Sequence, residues 1–142
     1  MVLYLDTSAL VKLYVSERDS RSVRDQVAQA QACVTSAVTY AELRAALGRL
    51  QREGLLSKSQ ATRCRQAFDA DWSKLVVLDV TDRLARHAGA LAEGHALRGF
   101  DAIHLASAIE AEQLLGRSVE FLSFDQRQNQ AASAVGLTVS GA

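Results

Sequence analysis

Most of the sixteen acidic side chains in this 142-residue chain are spaced as solvated charges, Glu17, Asp19, Asp25, Glu53, Glu110 and Glu112 among them. Asp6, Glu42, Asp101 and Asp125 are placed differently, and theirs are the side chains whose types and positions could do chemistry. Asp6 closes the apolar run Val2-Leu3-Tyr4-Leu5 and is followed by Thr7-Ser8. A short uninterrupted apolar run reads as a strand buried on both faces. Ligands of open α/β sheets bind at the carboxyl ends of such strands, while an aspartate there can equally be a plain helix cap. Asp125 repeats the pattern after Glu120-Phe121-Leu122-Ser123-Phe124, where the alternative is a turn aspartate. Glu42 falls at the margin of the helical stripe Tyr40, Leu43, Leu47 and Leu50, with small Ala45 and Ala46 one turn on; the alternative is a solvated helix glutamate. Asp101 opens an apolar helix after Gly99-Phe100, either as an N-cap or as a desolvated carboxylate that needs a cation or hydrogen-bond donors.

Each signal alone is weak, but together they place several carboxylates at one edge of one sheet. Like charges brought close raise one another's pKa and repel. A hard divalent cation relieves that repulsion: Mg²⁺ takes a few carboxylates plus waters and leaves positions for a substrate phosphate. Such a centre can activate water and steady the attacking and leaving oxygens of phosphodiester cleavage. Histidine chemistry has less support, since His87 and His95 lack ligand spacing and His104 reads as a hydrogen-bonded core residue three positions after Asp101.

The elements that must position these acids alternate. Strand 2–5 leads to a short helix over 7–15 and a polar helix over 20–31. A β-prone segment follows at 32–35, then Ser36 as N-cap of a helix over 38–53 that Gly54 stops. The helix over 57–72 is capped by Ser57. An apolar strand over 75–80 precedes a helix capped by Asp82 that runs to His95, and a core helix spans 100–115. Strand 119–123, a helix over 126–134 and an edge strand over 137–139 complete the chain. Strands alternating with helices predict a parallel sheet covered on both faces. Proline is absent and no linker or repeat interrupts 1–142, so one domain is expected.

Composition narrows the function further. Lys+Arg and Asp+Glu are both 16, which argues against a protein that coats nucleic acid by bulk attraction. Only Lys12, Lys58 and Lys74 are lysines and the remaining cations are arginines; Arg44, Arg49 and Arg98 are candidates to meet phosphate, which arginine binds bidentately. No apolar run approaches the ~20 residues of a membrane span, and without a basic region followed by a long apolar stretch near residue 1 no signal peptide is expected. Cys33 and Cys64 lack metal spacing and read as thiols of a reducing cytoplasm.

Four segments carry a resemblance that covers essentially the whole chain. They are Leu3-Tyr4-Leu5-Asp6-Thr7-Ser8-Ala9-Leu10-Val11-Lys12-Leu13-Tyr14, Thr35-Ser36-Ala37-Val38-Thr39-Tyr40-Ala41-Glu42-Leu43, Arg98-Gly99-Phe100-Asp101-Ala102-Ile103-His104-Leu105-Ala106-Ser107-Ala108, and Phe121-Leu122-Ser123-Phe124-Asp125. The first and third, as an ordered pair, are the specific ones. The sequence resembles the PIN-domain ribonucleases and, within them, the VapC toxins of bacterial toxin–antitoxin pairs. The resemblance implies a three-layer α/β/α sandwich around a parallel sheet of about four to five strands. It implies that Asp6, Glu42, Asp101 and Asp125 bind Mg²⁺ or Mn²⁺ and cleave structured RNA such as transfer or ribosomal RNA. It further implies a homodimer, assembled with a cognate VapB-type antitoxin into a heterotetramer or larger complex in which the antitoxin tail fills the site. The family often has threonine two residues before its last aspartate; Ser123 keeps the hydroxyl here, and Ser8 is a second supporting hydroxyl, as a donor to Asp6 or a helix cap.

Two rival readings remain. A degenerate PIN fold could bind a partner without catalysis, which the complete acidic set opposes. A receiver-like phospho-acceptor domain also carries acids at strand ends. It needs a lysine at the end of a late strand, and Lys12, Lys58 and Lys74 are misplaced for that role.

Overall fold

The computed structural model describes residues 1–140. Its centre is β1 (Val2–Leu5), all four residues of which are buried. The other strands are β2 (Ala32–Ser36), β3 (Val76–Leu78), β4 (Val119–Leu122) and β5 (Thr138–Val139). They pair in the order β3-β2-β1-β4-β5, and every pairing is parallel. The chain builds outward from β1 to one edge, then returns to fill the other side. The strand order therefore reverses beside β1, at the place where open sheets carry their ligand crevice.

Alternation along β1 sends Val2 and Tyr4 to one face and Leu3 and Leu5 to the other. Val2 and Tyr4 join a core built with Leu84 and Ala88 of α5 (Asp82–His95), Leu105 and Ala108 of α6 (Gly99–Leu115) and Ala131 of α7 (Gln126–Ala134). Leu3 and Leu5 pack with Leu10 of α1 (Thr7–Leu10), Val23 of α2 (Ser20–Gln29), Leu43 and Leu47 of α3 (Val38–Arg52) and Phe68 of α4 (Lys58–Trp72). Helices on both faces of a parallel sheet make the expected three-layer sandwich.

Local structure departs from the sequence reading at several termini. Helix α3 begins after Ala37, and Ser36 instead ends β2 with its Oγ accepting from Val38 N. Thr81, not Asp82, caps α5 through Leu84 N. The apolar run over 75–80 contributes only three residues, because β3 is an edge strand and Val76 is exposed. Ser57 does cap α4, forming a reciprocal capping box with Gln60. Gly116, at φ 62, ends α6 in the left-handed region that glycine adopts without penalty. No helix among the described residues is long and apolar enough to cross a membrane.

Candidate active site

Because β1 and β4 are neighbours, their carboxyl ends emerge side by side, and Asp6 N donates to Leu122 O. Asp6 turns out to be both cap and buried acid. Its Oδ1 accepts from Ala9 N at 3.0 Å, capping α1, and from Ser8 Oγ at 2.7 Å. Its Oδ2 accepts from Ser123 Oγ at 2.6 Å. Asp6 is thus the cap of α1, and Ser8 acts as a donor to it rather than as the cap. Ser8 Oγ also accepts from Phe124 N at 3.0 Å, which ties the two strand ends together.

Ser123 is the hub of the β4 end. Its Oγ accepts from Asp125 N at 3.0 Å and lies 3.1 Å from Gln128 Oε1. Asp125 caps α7 through Gln128 N, and Gln128 Nε2 donates to Asp101 O at 3.0 Å. A continuous set of hydrogen bonds therefore runs from Asp6 through Ser123 and Gln128 to both Asp125 and the first turn of α6. Asn129 braces the same turn by donating to Ser123 O.

Glu42 arrives from the opposite layer. Its Oε1 accepts from Thr7 Oγ1 at 2.5 Å and pairs with His104 Nε2 at 2.8 Å. His104 is buried on α6, and its Nδ1 lies 2.8 Å from the Tyr4 hydroxyl. A carboxylate only accepts, so Nε2 carries the proton toward Glu42. His104 is the core histidine the sequence indicated, with a role in orienting an acidic site residue that the sequence did not reveal. Thr7 was likewise missed; its place directly after Asp6 was the available signal.

Asp101 sits in the first turn of α6 without capping it, and its Oδ2 lies 3.5 Å from Arg98 Nε. Asp101, Asp125, Arg98 and Arg127 line one cleft, of about 400 Å³. Asp101, Glu42, Arg98, Phe100 and Ile103 line another, of about 490 Å³, and the shared Arg98 and Asp101 join the two. Of the arginines singled out from the sequence, only Arg98 is here. Arg44 donates to the Tyr40 hydroxyl and Arg49 pairs with Glu53 farther along α3, so neither lines these clefts. Arg127, two residues after Asp125, is the cation the sequence reading overlooked. No lysine lines either cleft. A larger cleft, of about 640 Å³ between the 13–17 turn and α3 and α4, holds none of the four acids.

The electrostatics show the strain of gathering acids. Burial pushes Asp6 up from its ordinary value, against the pull of His104 and of its Ser123, Ser8 and Ala9 donors. Asp101 is raised by burial and then by Asp125, with Glu42 adding to it and Arg98 and His104 opposing. Burial also acts to raise Glu42, but the hydrogen bonds from His104 and Thr7 and the charge of His104 outweigh it and hold the carboxyl below its usual range.

The donor chemistry suits a hard cation: the carboxylates of Glu42, Asp101 and Asp125 line the clefts beside Arg98 and Arg127, Asp6 lies buried behind them, and Asp6 and Asp101 are held above their ordinary range. No three acidic, histidine or cysteine side chains among the described residues already converge at metal-holding distance. That spacing is compatible with Mg²⁺, which keeps several waters and takes only one or two carboxylates directly.

The PIN domain family model matches residues 3–134. Ribonuclease VapC45 of Mycobacterium tuberculosis is 33% identical over 141 residues, covering 99% of this chain and 96% of the relative. Ribonuclease VapC46 of the same species is 35% identical over 137 residues, covering 96% and 95%. Among solved structures, the M. tuberculosis VapC20 toxin, described as cleaving the sarcin–ricin loop, superposes with a TM-score of 0.68 at 19% identity over 97% of this chain and 98% of that one. VapBC2 of Rickettsia felis, bound to a promoter DNA fragment, gives 0.67 at 14% identity over 99% and 98%. With the family model spanning nearly the whole described fold, and relatives at about a third identity matched along almost their full length, the chain belongs to the PIN-domain family and, within it, to the VapC ribonucleases.

Proposed function

We propose that this chain is a metal-dependent endoribonuclease toxin, a homodimer held inactive by a cognate VapB-type antitoxin, whose substrate is a structured RNA. The observation that supports the reading is the joining of the Asp6 and Asp125 strand ends through Ser123 beside clefts lined by Glu42, Asp101 and Asp125, with Asp6 and Asp101 held above the ordinary carboxylate range. The kinship with ribonucleases named VapC supports the activity, and the kinship in fold with proteins described as VapBC complexes supports the partner.

Asp6 and Asp101 would hold Mg²⁺ or Mn²⁺ with help from Glu42 and Asp125. The bound ion supplies charge neutralisation and a water of lowered pKa. The protein's own share is positioning. Ser8 and Ser123 fix both oxygens of Asp6, while Thr7 and His104 fix Glu42. Arg98 and Arg127 stand at the rim, where a guanidinium can take a phosphate oxygen.

The test is cleavage of transfer and ribosomal RNA by the purified protein. Cleavage with Mg²⁺, its arrest by EDTA, and its loss in Asp6→Asn are expected. Cleavage that persists in Asp6→Asn would overturn the mechanism. Growth arrest on expression, relieved by co-expressing the small protein encoded next to it, tests the toxin role.

A further inference from the structure

Among the Phe, Tyr and Trp side chains of the described residues, Phe100 is the one that stands exposed. The chain has eight aromatic residues, four Phe, three Tyr and one Trp. Seven of them are buried or half-buried, while Phe100 is 57% exposed. Tyr4 stacks on Phe121; Tyr14, Tyr40, Phe68 and Trp72 form one cluster; and Phe124 lies under the Lys12 ammonium. Single exposed apolar side chains are ordinary on protein surfaces, so position decides what Phe100 means. It stands in the first turn of α6 between Arg98 and Asp101, on the wall of the 490 Å³ cleft that also holds Glu42. An apolar ring, a cation and the acidic centre thus occupy one short stretch of one cleft.

We infer that Phe100 is a stacking platform for an unpaired base of the RNA substrate, next to the scissile phosphate held at the acidic residues, with Arg98 taking an adjoining phosphate. This rests on the ribonuclease reading and adds to it a determinant of which nucleotides can be cut. A nucleotide fits both walls of the cleft: every base has an apolar π-face, and its phosphate complements Arg98. An acidic or purely apolar partner would match only one of them. Base-paired RNA hides its faces, so a site of this kind selects loops, bulges or ends, where bases splay onto aromatic side chains. Phe100 is then a positioning residue that sets the register of the strand over the acids.

The test is binding measured in EDTA, so that no cleavage intervenes, by fluorescence anisotropy of a labelled uniform oligouridylate and an abasic oligomer of equal length. Wild type is expected to prefer the base-bearing oligomer. Phe100→Ala should lose about 5- to 100-fold in affinity for it, with little change for the abasic one. Phe100→Tyr should restore the preference. Phe100→Trp should restore it too, and show indole quenching on binding beyond the Trp72 signal of the wild type. The proposal fails if wild type does not discriminate the oligomers, or if Phe100→Ala loses equally on both. It also fails if Phe100→Ala keeps the discrimination but sediments as a smaller species, which would assign the ring to an interface between two copies. Cleavage with Mg²⁺ is read separately. A wild type that discriminates bases but never cleaves would sink the catalytic reading and leave the platform standing.

Discussion

His104 Nε2 and Glu42 Oε1 lie 2.8 Å apart and join α6 to α3 across the carboxyl edge of the sheet, although the two helices cover opposite faces. Behind the imidazole stands the Tyr4 hydroxyl, buried in the sheet itself. The contact therefore couples the acidic site to the packing of all three layers. His104→Ala removes the imidazole partner of the buried Tyr4 hydroxyl, at a cost of about 1–3 kcal/mol, and frees Glu42 to rise toward or above its ordinary pKa. Urea denaturation should show the lost stability. Cleavage should fall more than the residual folded fraction explains; if activity merely tracks that fraction, His104 has no positioning role.

Asp6→Asn should abolish cleavage and yet stabilise the metal-free protein. The asparagine Oδ1 can still accept from Ala9 N and Ser8 Oγ, while its Nδ2 donates to Ser123 Oγ, whose single proton turns from residue 6 to Gln128 Oε1. What disappears is the desolvated charge. Relief of each kcal/mol should raise Tm in EDTA by about 2–4 °C. A lower Tm would show that the carboxylate stabilises the fold rather than serving function at the fold's expense.

The carboxyl groups also fix the sign of the pH dependence. Asp6 and Asp101 are raised above the ordinary 3.8. The stability linked to their protonation is full below that value and lost as pH climbs through the raised ones. Glu42 is lowered from 4.5, so its contribution is present above that value and lost as pH falls through the depressed one. A bound cation offsets the cost of ionising Asp6 and Asp101. The Tm increment from Mg²⁺ should thus be near zero below about pH 4 and grow toward neutrality. A pH-independent increment, measured by calorimetry from pH 4 to 8, would place the cation elsewhere.

Arg127→Ala should raise KM with little change in kcat and reduce the salt dependence of RNA binding by roughly one counterion. Arg127 shares its cleft with Asp101 and Asp125 but forms no ion pair among the described residues, leaving its guanidinium free for phosphate. An unchanged salt slope would remove it from the RNA path.

Ser57→Ala separates stability from function. It removes the Ser57 Oγ half of the α4 capping box, the bond from Gln60 N, far from the acids, at a cost of about 1 kcal/mol. The midpoint of denaturation should fall while kcat/KM at low temperature stays at the wild-type value.

The sequence by itself determined the layers and singled out the four acids as candidates. Val2 to Leu5 is apolar on both faces, which demands helices above and below, and the alternation of strands and helices makes the sheet parallel. Asp6 and Asp125 follow apolar strands, and the helical periodicity around Glu42 and Asp101 keeps both off the fully solvated surface. Spacing along a chain could not show which strand ends are adjacent. Only the order β3-β2-β1-β4-β5 brings Ser123 onto Asp6 across 117 positions. Only the packing of α3 and α6 from opposite layers brings His104 to Glu42, and Arg127 in place of Arg44 and Arg49 to the clefts. Cap identities also escaped, at Ser36 and Thr81, because a cap depends on backbone geometry at the helix entry, which neighbouring strands impose. Hydrophobic periodicity is local and is written in residue order; hydrogen bonds between strand ends and facing helices depend on the register and topology that burial of the whole core selects.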